Sequence, residues 1–559
     1  MPYRWPEDTV FTRLELAVEE PWCRTCGGAL TICDHRHHRV FTLHGPVHLG
    51  CKLAHCPARA CPAGTQTISP EAETTITMPW WVLGWDVVCW LGHRRFAQHW
   101  SVQQLRAELA DTYHIPLSDD AIERYIHRYQ QMLAARQRDP QQLAAAYAQV
   151  DAVILAIDGL QPEKGHETIY VVRELERKRV WFAEALLSSA TTEVQQLLVQ
   201  ARTWAERLGK PVRLWMSDKQ DAFVRGIAAE FPGVPHRYCA NHFLRDVAQP
   251  VLDADSRAKV RMRRTIRGLR TIEREVLAEQ RVTAPTVLPV TPPGETPTAA
   301  PGPSEGPAEE EGRDVVLDYC AATRGILNDD QGGPLHPPGL RMAAALGDVR
   351  ASLQRNLEAQ KGGGAHERLT RLAGYIDRGL TSVQAAQEAI RQEVADVRAV
   401  QATLDPDRGS GDQRHAQFQT LREPFQGSDN PTRQHIGRVM ASFEPGLFVG
   451  GDDADLPQDN LDLERWFRQP KGHERRIHGR RHAGVRLVQE GPTLLMALDA
   501  HMTHPGRFTA EDLRPYWRTL VPVCQRQAVH RRTIMRQARS KKNRALLLAD
   551  LERRYLDGS

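Results

Sequence analysis

Short apolar runs separated by polar turns dominate residues 150–250, and longer amphipathic repeats surround them. The run 153–157 (VILAI) has the length and the β-branched content of a buried strand, and Asp158 and Gly159 follow it directly. Similar runs recur on either side of a helically spaced segment. The predicted elements are strands at 153–157, 168–173 and 179–187, a helix at 191–208, a strand at 212–216, a helix at 220–230 and a strand at 236–239.

This order of elements favours an RNase-H-like core, in which the first and fourth strands are adjacent and parallel. Asp158 follows the first strand and Asp218 follows the fourth, so we expect their carboxylates side by side at one edge of the sheet. Two carboxylates can share divalent metals that lie about 3.5–4 Å apart. Mg²⁺ prefers oxygen ligands and keeps coordination positions for substrate phosphate and water. The two aspartates therefore predict a catalytic magnesium site.

A third carboxylate is expected on a later helix. Glu464 opens a basic segment, since residues 464–486 contain eight Lys or Arg and two Glu. A metal-binding carboxylate among cations suits a site that handles phosphates. Glu474 lies on the same segment and is the alternative third ligand. The cations expected to contact DNA phosphates here are Arg465, Arg468, Lys471, Arg475 and Arg476.

Each of these three carboxylates also has a purely structural interpretation. Asp158 and Asp218 could be turn residues at strand ends, and Glu464 could be half of a surface ion pair. Together these interpretations leave the strand order and the basic helix unexplained, which favours the catalytic interpretation.

The first part of the chain is rich in Cys and His, and six of the ten cysteines lie between Cys23 and Cys61. Such clustering in a chain without an export signal indicates metal binding rather than disulfides. A CxxC turn precedes a predicted hairpin at 39–49, and a second cysteine pair follows it, which suits a tetrahedral thiolate zinc site. The predicted Zn²⁺ ligands are Cys23, Cys26, Cys51 and Cys56, with Cys61, Cys33, His35 and His55 as competing ligands and unligated reduced cysteines as the alternative.

Residues 92–134 predict two amphipathic helices joined by a short turn. Ser101 and Ser118 are placed to cap them. The helical spacing leaves Arg124 and Arg128 on the outer face of the second helix. This arrangement suits a DNA-binding helix-turn-helix, and an ordinary helical hairpin is the alternative.

The composition sets limits on the class of protein. A chain of 559 residues suggests three or four domains, and a net charge of +4 gives no argument for nucleic acid by itself. The N-terminus lacks an apolar signal region, and the most apolar stretch, 78–92, is shorter than the roughly 18–20 residues of a membrane-spanning helix. We therefore expect a cytoplasmic protein without a membrane partner.

The chain is predicted to be a multidomain α/β protein. Residues 281–313, rich in Pro, Thr, Gly, Ala and Glu, predict a disordered loop between helical segments. The basic stretch 531–544 could contact DNA or form a solvated helix face. The predicted domains are a zinc-ribbon-like module (1–75), a helix-turn-helix domain (80–145), the first part of the core (150–250), a mostly helical insertion (251–445), the final core helix (446–495) and a basic helical region (496–559).

Three blocks of sequence resemble a known family. Residues 156–159 (AIDG) resemble the first acidic motif of bacterial insertion-sequence DDE transposases. Residues 217–246 resemble the second-Asp block of the Mutator-like group, including the trailing Cys239 and His242. Residues 460–465 (NLDLER), with the downstream basic residues, resemble the third block.

The resemblance implies a DNA transposase that cleaves and joins strands at transposon ends. Asp158, Asp218 and Glu464 would bind two Mg²⁺ (or Mn²⁺) ions, and Cys239 with His242 would hold another metal or pack the core. The implied partner is double-stranded DNA, the implied assembly a homodimer or larger, and the implied location the nucleoid. Two rival hypotheses are a catalytically silent, transposase-derived DNA-binding regulator and an RNase-H-like nuclease that cuts without joining.

Overall fold

The chain is mixed α/β and divides into two units. Unit 1 comprises Met1–Arg237 and Pro457–Ser559, and unit 2 comprises Tyr238–Leu456. Among the described residues, every helix is too short or too polar to cross a membrane. The computed structural model describes residues 5, 7–64, 66–162, 166–283, 307–359, 362–453, 455–479, 484–504 and 506–558.

A three-stranded sheet opens unit 1, in the order β1-β3-β2. The predicted hairpin is confirmed and is longer than expected: β2 and β3 are antiparallel, and Gly45, at a φ of 116°, begins the second strand after a tight turn. The first strand pairs in parallel with the third. Val40, Leu49 and Cys51 belong to the core beneath this sheet. The strands are β1 (Thr12–Leu16), β2 (Thr31–Thr42) and β3 (Gly45–His55).

Five helices follow this sheet. The two predicted caps are confirmed, because the Ser101 side chain accepts a hydrogen bond from the backbone N–H of Gln104, and that of Ser118 accepts one from Ala121. The Gln104 side chain accepts from the Ser101 backbone in return, which completes a capping box. The helices are α1 (Glu71–Ile76), α2 (Trp85–Phe96), α3 (Val102–Asp111), α4 (Asp119–Gln137) and α5 (Pro140–Ala146).

A five-stranded sheet forms the centre of unit 1, in the order β6-β5-β4-β7-β8. The first three strands are antiparallel neighbours, and β4 and β7 pair in parallel. The predicted order of elements and the predicted pairing of the first and fourth strands are therefore confirmed. The elements are β4 (Val153–Leu160), β5 (Thr168–Glu174), β6 (Arg179–Leu186), α6 (Thr191–Leu208), β7 (Val212–Ser217), α7 (Asp221–Glu230) and β8 (His236–Tyr238).

Unit 2 is a large helical region. The Asp255 carboxylate accepts hydrogen bonds from the backbone N–H groups of Gly339 and Leu340, at the start of α12. The predicted disordered loop at 281–313 is too long at both ends, since helices reach 283 and begin at 307; its middle, 284–306, lies outside the described residues. The helices are α8 (Ala240–Val247), α9 (Gln249–Thr265), α10 (Leu269–Thr283), α11 (Pro307–Leu327), α12 (Pro338–Ala359), α13 (Gly363–Thr381), α14 (Gln384–Ala402), α15 (Gly411–Gln426) and α16 (Pro431–Leu447).

The last six helices return to unit 1, and one of them crosses its central sheet. Gly491 of α19 lies so close to Ile169 of β5 that an added methyl group would overlap it. Because side chains alternate along a strand, this is the face opposite Tyr170, which packs toward α7 through Phe223. Helices therefore cover both faces of the sheet. They are α17 (Leu461–Trp466), α18 (Arg468–His478), α19 (Gly484–Thr503), α20 (Ala510–Leu513), α21 (Val523–Arg539) and α22 (Lys541–Gly558).

Candidate functional site

Asp158 and Asp218 lie on neighbouring parallel strands. Ile157 of β4 is paired with Ser217 of β7, and each aspartate is the next residue along its strand. The two carboxylates therefore leave adjacent strands at the same level, as predicted. The first strand continues to Leu160, so Asp158 is inside the strand rather than at its end. It is 9% exposed, so its carboxylate is largely shielded from water.

Short local hydrogen bonds hold both aspartates. Asp158 Oδ1 accepts from the backbone N–H of Gly159 at 2.7 Å, and Asp218 Oδ1 accepts from that of Gln220 at 3.1 Å. The hydroxyl of Ser217 contacts Nε2 of His236 at 2.8 Å. Burial lowers the pKa of His236 to about 4, so this imidazole is neutral near pH 7. It therefore adds no positive charge that would oppose a metal beside Asp218.

Tyr170 of β5 is a residue of this site that the sequence did not indicate. It is paired with Gly159, and a methyl group at Gly159 would lie 3.2 Å from its ring. Burial raises the pKa of Tyr170; a hydrogen bond from Gln220 opposes the shift, and the charges of Asp218 and Asp158 add to it. The negative charges of both carboxylates therefore act on the pKa of this one phenol. The glycine after Asp158 was the available signal, since it makes room for the ring.

Glu464 lies on α17, and this helix is attached to the sheet by a neighbouring residue. Asp462 accepts a hydrogen bond from Nε of Arg173 at 3.0 Å. Arg173 is paired with Ala156, two residues before Asp158, so it shares a face of the sheet with that aspartate. Helix α17 is therefore fixed to the face from which Asp158 projects.

The same arginine has a second carboxylate partner that sequence reasoning missed. Arg173 donates to Asp499 of α19 at 2.9 Å, and the other oxygen of Asp499 accepts from the backbone N–H of Val180 at 2.9 Å. Arg173 and Asp499 are 3% and 1% exposed. A charged residue within a predicted buried strand was the available signal, because such a residue requires a buried partner.

Glu474, the alternative third ligand, belongs to a buried polar cluster instead. It is 2% exposed, and burial raises its pKa to about 7 although Arg486 and Arg95 act in the opposite direction. Arg486 Nε lies 3.9 Å from its carboxylate. The neighbouring His473 contacts His99 at 2.9 Å between their Nδ1 atoms. Glu474 is therefore enclosed beneath α18, next to Arg486 of α19.

The basic residues predicted on the same segment are accessible. Arg465, Arg468, Arg475 and Arg476 are exposed, and Lys471 is partly exposed. In the part of the chain that the structure describes, no carboxylate lies within 4.0 Å of these five cations. They are available to an anionic ligand.

The predicted recognition helix is less exposed than its pattern suggested. Arg124 of α4 is exposed. Arg128 is partly buried and donates to the backbone carbonyl of Thr519 at 2.8 Å, so its predicted outward position is wrong. Burial lowers the pKa of Arg128. Further along, Gln130 donates to Thr493 of α19 at 2.7 Å. The second half of α4 therefore packs against α19, and only its first turns can face a ligand.

Four cysteines form a compact thiol cluster near the start of the chain. The Sγ atoms of Cys23 and Cys61 are 3.7 Å apart and those of Cys26 and Cys56 are 3.5 Å apart, and all four lie within 4.8 Å of one another. Zn–S bonds of about 2.3 Å place tetrahedral sulfurs about 3.8 Å apart. Backbone hydrogen bonds from Cys26 chiefly lower the pKa of Cys23 to about 6. The donor set fits Zn²⁺.

The prediction that Cys51 is a ligand is wrong. Cys51 lies within β3 opposite Arg36 and packs in the core of the small sheet, where burial raises the pKa of its thiol to about 11. Cys61 takes the fourth position of the thiol cluster. Among the other competing ligands, Cys33 donates to the carbonyl of Leu53. Strand alternation turns Cys51 toward the core, whereas Cys56 follows the strand and is free to turn toward the CxxC loop.

The predicted pair Cys239 and His242 lies at the start of α8 in unit 2. Cys239 is the N-cap residue and is fully buried, and its sulfur and a ring nitrogen of His242 are within 4.8 Å of each other. This distance is compatible with both predicted roles, a shared metal and core packing.

The chain thus carries two sets of potential metal ligands in unit 1, with different chemistry. The acidic edge, defined as Asp158 and Asp218, offers oxygen ligands suited to Mg²⁺ or Mn²⁺. The thiol cluster offers sulfur ligands suited to Zn²⁺. Comparison with protein-family models and with curated protein sequences gives no match to this chain.

Proposed function

We propose that this protein is a DNA transposase with an RNase-H-like core. The observation that carries the proposal is the parallel pairing of Ile157 with Ser217, since Asp158 and Asp218 are the next residues on these two strands. The strand order, with two crossover helices on one face, is the arrangement expected for such a core. The resemblance of the blocks around these residues to DDE transposases points to the same activity.

Glu464 is the third carboxylate in this proposal. It lies on the helix that Asp462 attaches to the face of Asp158. Glu474 is a weaker candidate because it is buried with Arg95 and Arg486. Next to Glu464, exposed arginines such as Arg465 would neutralise backbone phosphates and hold the scissile strand.

The chain's own residues supply positioning and charge. Two Mg²⁺ or Mn²⁺ ions, when bound, would activate the attacking hydroxyl and stabilise the leaving oxygen of an in-line phosphoryl transfer. Asp158 and Asp218 would hold these ions at a fixed spacing because the sheet register fixes their backbones. The backbone N–H of Gln220 would orient Asp218 through its hydrogen bond to Oδ1. Burial of Asp158 strengthens its interaction with a cation, because less water screens it.

The remaining predicted parts bind rather than catalyse. Zn²⁺ at the thiol cluster would hold the N-terminal module together, since its ligands come from two loops. Helices α3 and α4 would bring Arg124 to DNA. Synapsis of two transposon ends requires a homodimer or larger assembly, and the substrate places the protein at the nucleoid.

A strand-transfer assay on duplexes that carry the inverted repeats flanking the gene tests the proposal. With Mg²⁺ or Mn²⁺ present, Asp218→Ala and Glu464→Ala should lose joining by about 10³-fold or more, equivalent to about 4 kcal/mol. DNA binding should survive in both variants. Asp221→Ala is the matched control, because Asp221 is exposed on α7 and paired with Arg225 at 3.0 Å.

The same assay separates the rival functions. Cleavage without joining would identify a nuclease, and DNA binding without cleavage would identify a regulator. Joining at the wild-type rate in Asp218→Ala would rule out the proposed active site.

A further inference from the structure

The C-terminal part of unit 1 contains a long segment without acidic residues. Between Asp512 and Asp550 the sequence has ten Lys or Arg and no Asp or Glu. The whole chain is nearly balanced, with 73 basic and 69 acidic residues. The positive charge is therefore concentrated on α21 and the start of α22 rather than spread over the molecule.

Specific contacts fix α21 in place. Gln525, 4% exposed, accepts a hydrogen bond from the hydroxyl of Thr493 at 2.8 Å. Arg531 donates to Glu167 at 2.7 Å, and Arg532 contacts His166 at 2.9 Å. His166 and Glu167 directly precede β5, in the connection that follows the carboxyl end of β4. Helix α21 is therefore attached beside the end of the sheet at which the acidic edge lies.

Most of the other cations of this segment face solvent. We call five of them the α21 cation surface, and all five are exposed. Among the described residues no carboxylate lies within 4.0 Å of any of them. By contrast, Arg553 and Arg554 farther along α22 are paired with Asp550. The α21 cation surface consists of Arg526, Arg536, Arg539, Lys541 and Lys542.

We propose that the α21 cation surface binds the backbone phosphates of double-stranded DNA that passes the acidic edge. Arg526 and Arg539 are 13 residues apart on one helix, about 20 Å at 1.5 Å per residue. At roughly 100° per residue Arg526, Arg536 and Arg539 are spread over about 140° of the helix circumference, so they form a broad patch rather than a single row. A patch of cations without interspersed acids suits a polyanion such as the phosphate backbone. An acidic protein partner would instead be expected to bury an aromatic or apolar centre.

This inference deepens the proposed function and rests on it for the nature of the ligand, DNA. It assigns DNA binding to a segment that is far in sequence from the carboxylates. This binding is independent of base sequence, because contacts to phosphates carry no information about the bases. Its role is to position the duplex over Asp158 and Asp218.

The salt dependence of DNA binding tests the inference. The full-length protein is titrated with a fluorescent duplex of unrelated sequence at several salt concentrations. The triple variant Arg536→Gln, Arg539→Gln, Lys541→Gln should reduce the slope of log K against log salt by about 0.9 for each phosphate that the protein no longer neutralises. Double replacement of Arg553 and Arg554 by Gln is the matched control, since those cations are exposed but already paired. It should leave the slope unchanged.

The outcomes separate this inference from the proposed function. An unchanged slope in a triple variant that still unfolds cooperatively at the wild-type temperature would overturn the inference, even if the wild type joins DNA strands. A reduced slope in a protein without any joining activity would support the inference and count against the transposase. Loss of binding to polyglutamate with an unchanged DNA slope would show that the surface serves an acidic protein, and would also overturn it.

Discussion

The acidic edge and the thiol cluster both bring together residues from separate parts of unit 1, but different forces hold them. Asp158 and Asp218 rest on two paired strands over a core that includes Leu155, Trp215 and Phe223. The thiol cluster has little core of its own: among the described residues its buried cysteines pack with partly buried neighbours such as Leu30. Hydrophobic burial therefore positions the two carboxylates without a metal, whereas we propose that the arrangement of the cysteines depends on bound Zn²⁺.

Removal of metal should give the largest difference in stability between the thiol cluster and the acidic edge. Chelation of zinc should unfold residues 20–64, because structural zinc contributes about 10–16 kcal/mol in small domains. Hydrogen exchange measured by mass spectrometry should show this loss of protection, while β4 and β7 stay protected. Unchanged protection of both regions would contradict the dependence of the thiol cluster on metal.

Two cysteine variants serve as controls for that experiment. Cys61→Ser should lower the bound zinc, whereas Cys51→Ser should keep one zinc per chain, because Cys51 lies in the core of the small sheet. Zinc loss in Cys51→Ser with retention in Cys61→Ser would restore the ligand set expected from the sequence.

Replacement of Arg173 should test whether its ion pairs, rather than a bound metal, hold α17 and α19 against the central sheet. Arg173→Leu leaves Asp499 buried without its cation and releases Asp462, which should cost about 3–5 kcal/mol of unfolding free energy. Urea denaturation measures the change. Arg177→Leu is the control, because Arg177 is exposed in the turn after β5. Equal stability of the two variants would show that the ion pairs do not fix α17 and α19.

The burial of Glu474 should make the free energy of unfolding depend on pH. The pKa of Glu474 is raised from 4.5 to about 7 in the folded protein, so the folded state binds more protons than the unfolded state between these values. Stability from this group is present below about pH 4.5 and is lost as the pH rises through 7, by about 3 kcal/mol at most. Glu474→Gln should abolish this loss, as thermal unfolding between pH 5 and pH 8 would show. A pH profile identical to that of the wild type would contradict the burial of a protonated Glu474.

The smallest expected effect is at Tyr170. Tyr170→Phe removes the hydroxyl near Asp218 and should weaken Mn²⁺ binding by about tenfold or less, the equivalent of one hydrogen bond of about 0.5–1.5 kcal/mol. Tyr147→Phe is the control, since the Tyr147 hydroxyl bonds Trp181 in the same core. Metal affinity is measured by the paramagnetic effect of Mn²⁺ on water relaxation. An equal loss in both variants would indicate a general effect on the core.

Much of the fold followed from local patterns. The strand order around Asp158, the helix caps at Ser101 and Ser118, and the hairpin between the cysteine pairs all agree with the structure. Each depends on residues close together in sequence: apolar runs, capping side chains and turn residues. Local interactions of this kind are encoded within a few residues, so they can be inferred without the fold.

The residues whose surroundings the sequence did not predict depend on contacts with distant parts of the chain. Cys51 is excluded from the CxxC turn because its side chain packs in the core of the small sheet, whereas Cys61 lies in the loop beyond β3 and joins the thiol cluster. Whether Arg128 is free depends on Thr519, 391 residues away in the chain. Glu474 is buried beside Arg486 of α19, a residue of another helix. Periodicity gives the side of a helix on which a residue lies, but not what packs against that side.

The sequence by itself determined the two candidate aspartates and the elements that hold them, because strand length, apolar content and the following acid are local features. The tertiary structure alone decided which cysteines meet, which cations remain free and how Arg173 connects α17 and α19 to the sheet. The physical reason is that burial and ion pairing are set by contacts between distant segments. Whether a charged side chain is exposed or buried in an ion pair therefore depends on which distant segment packs against it.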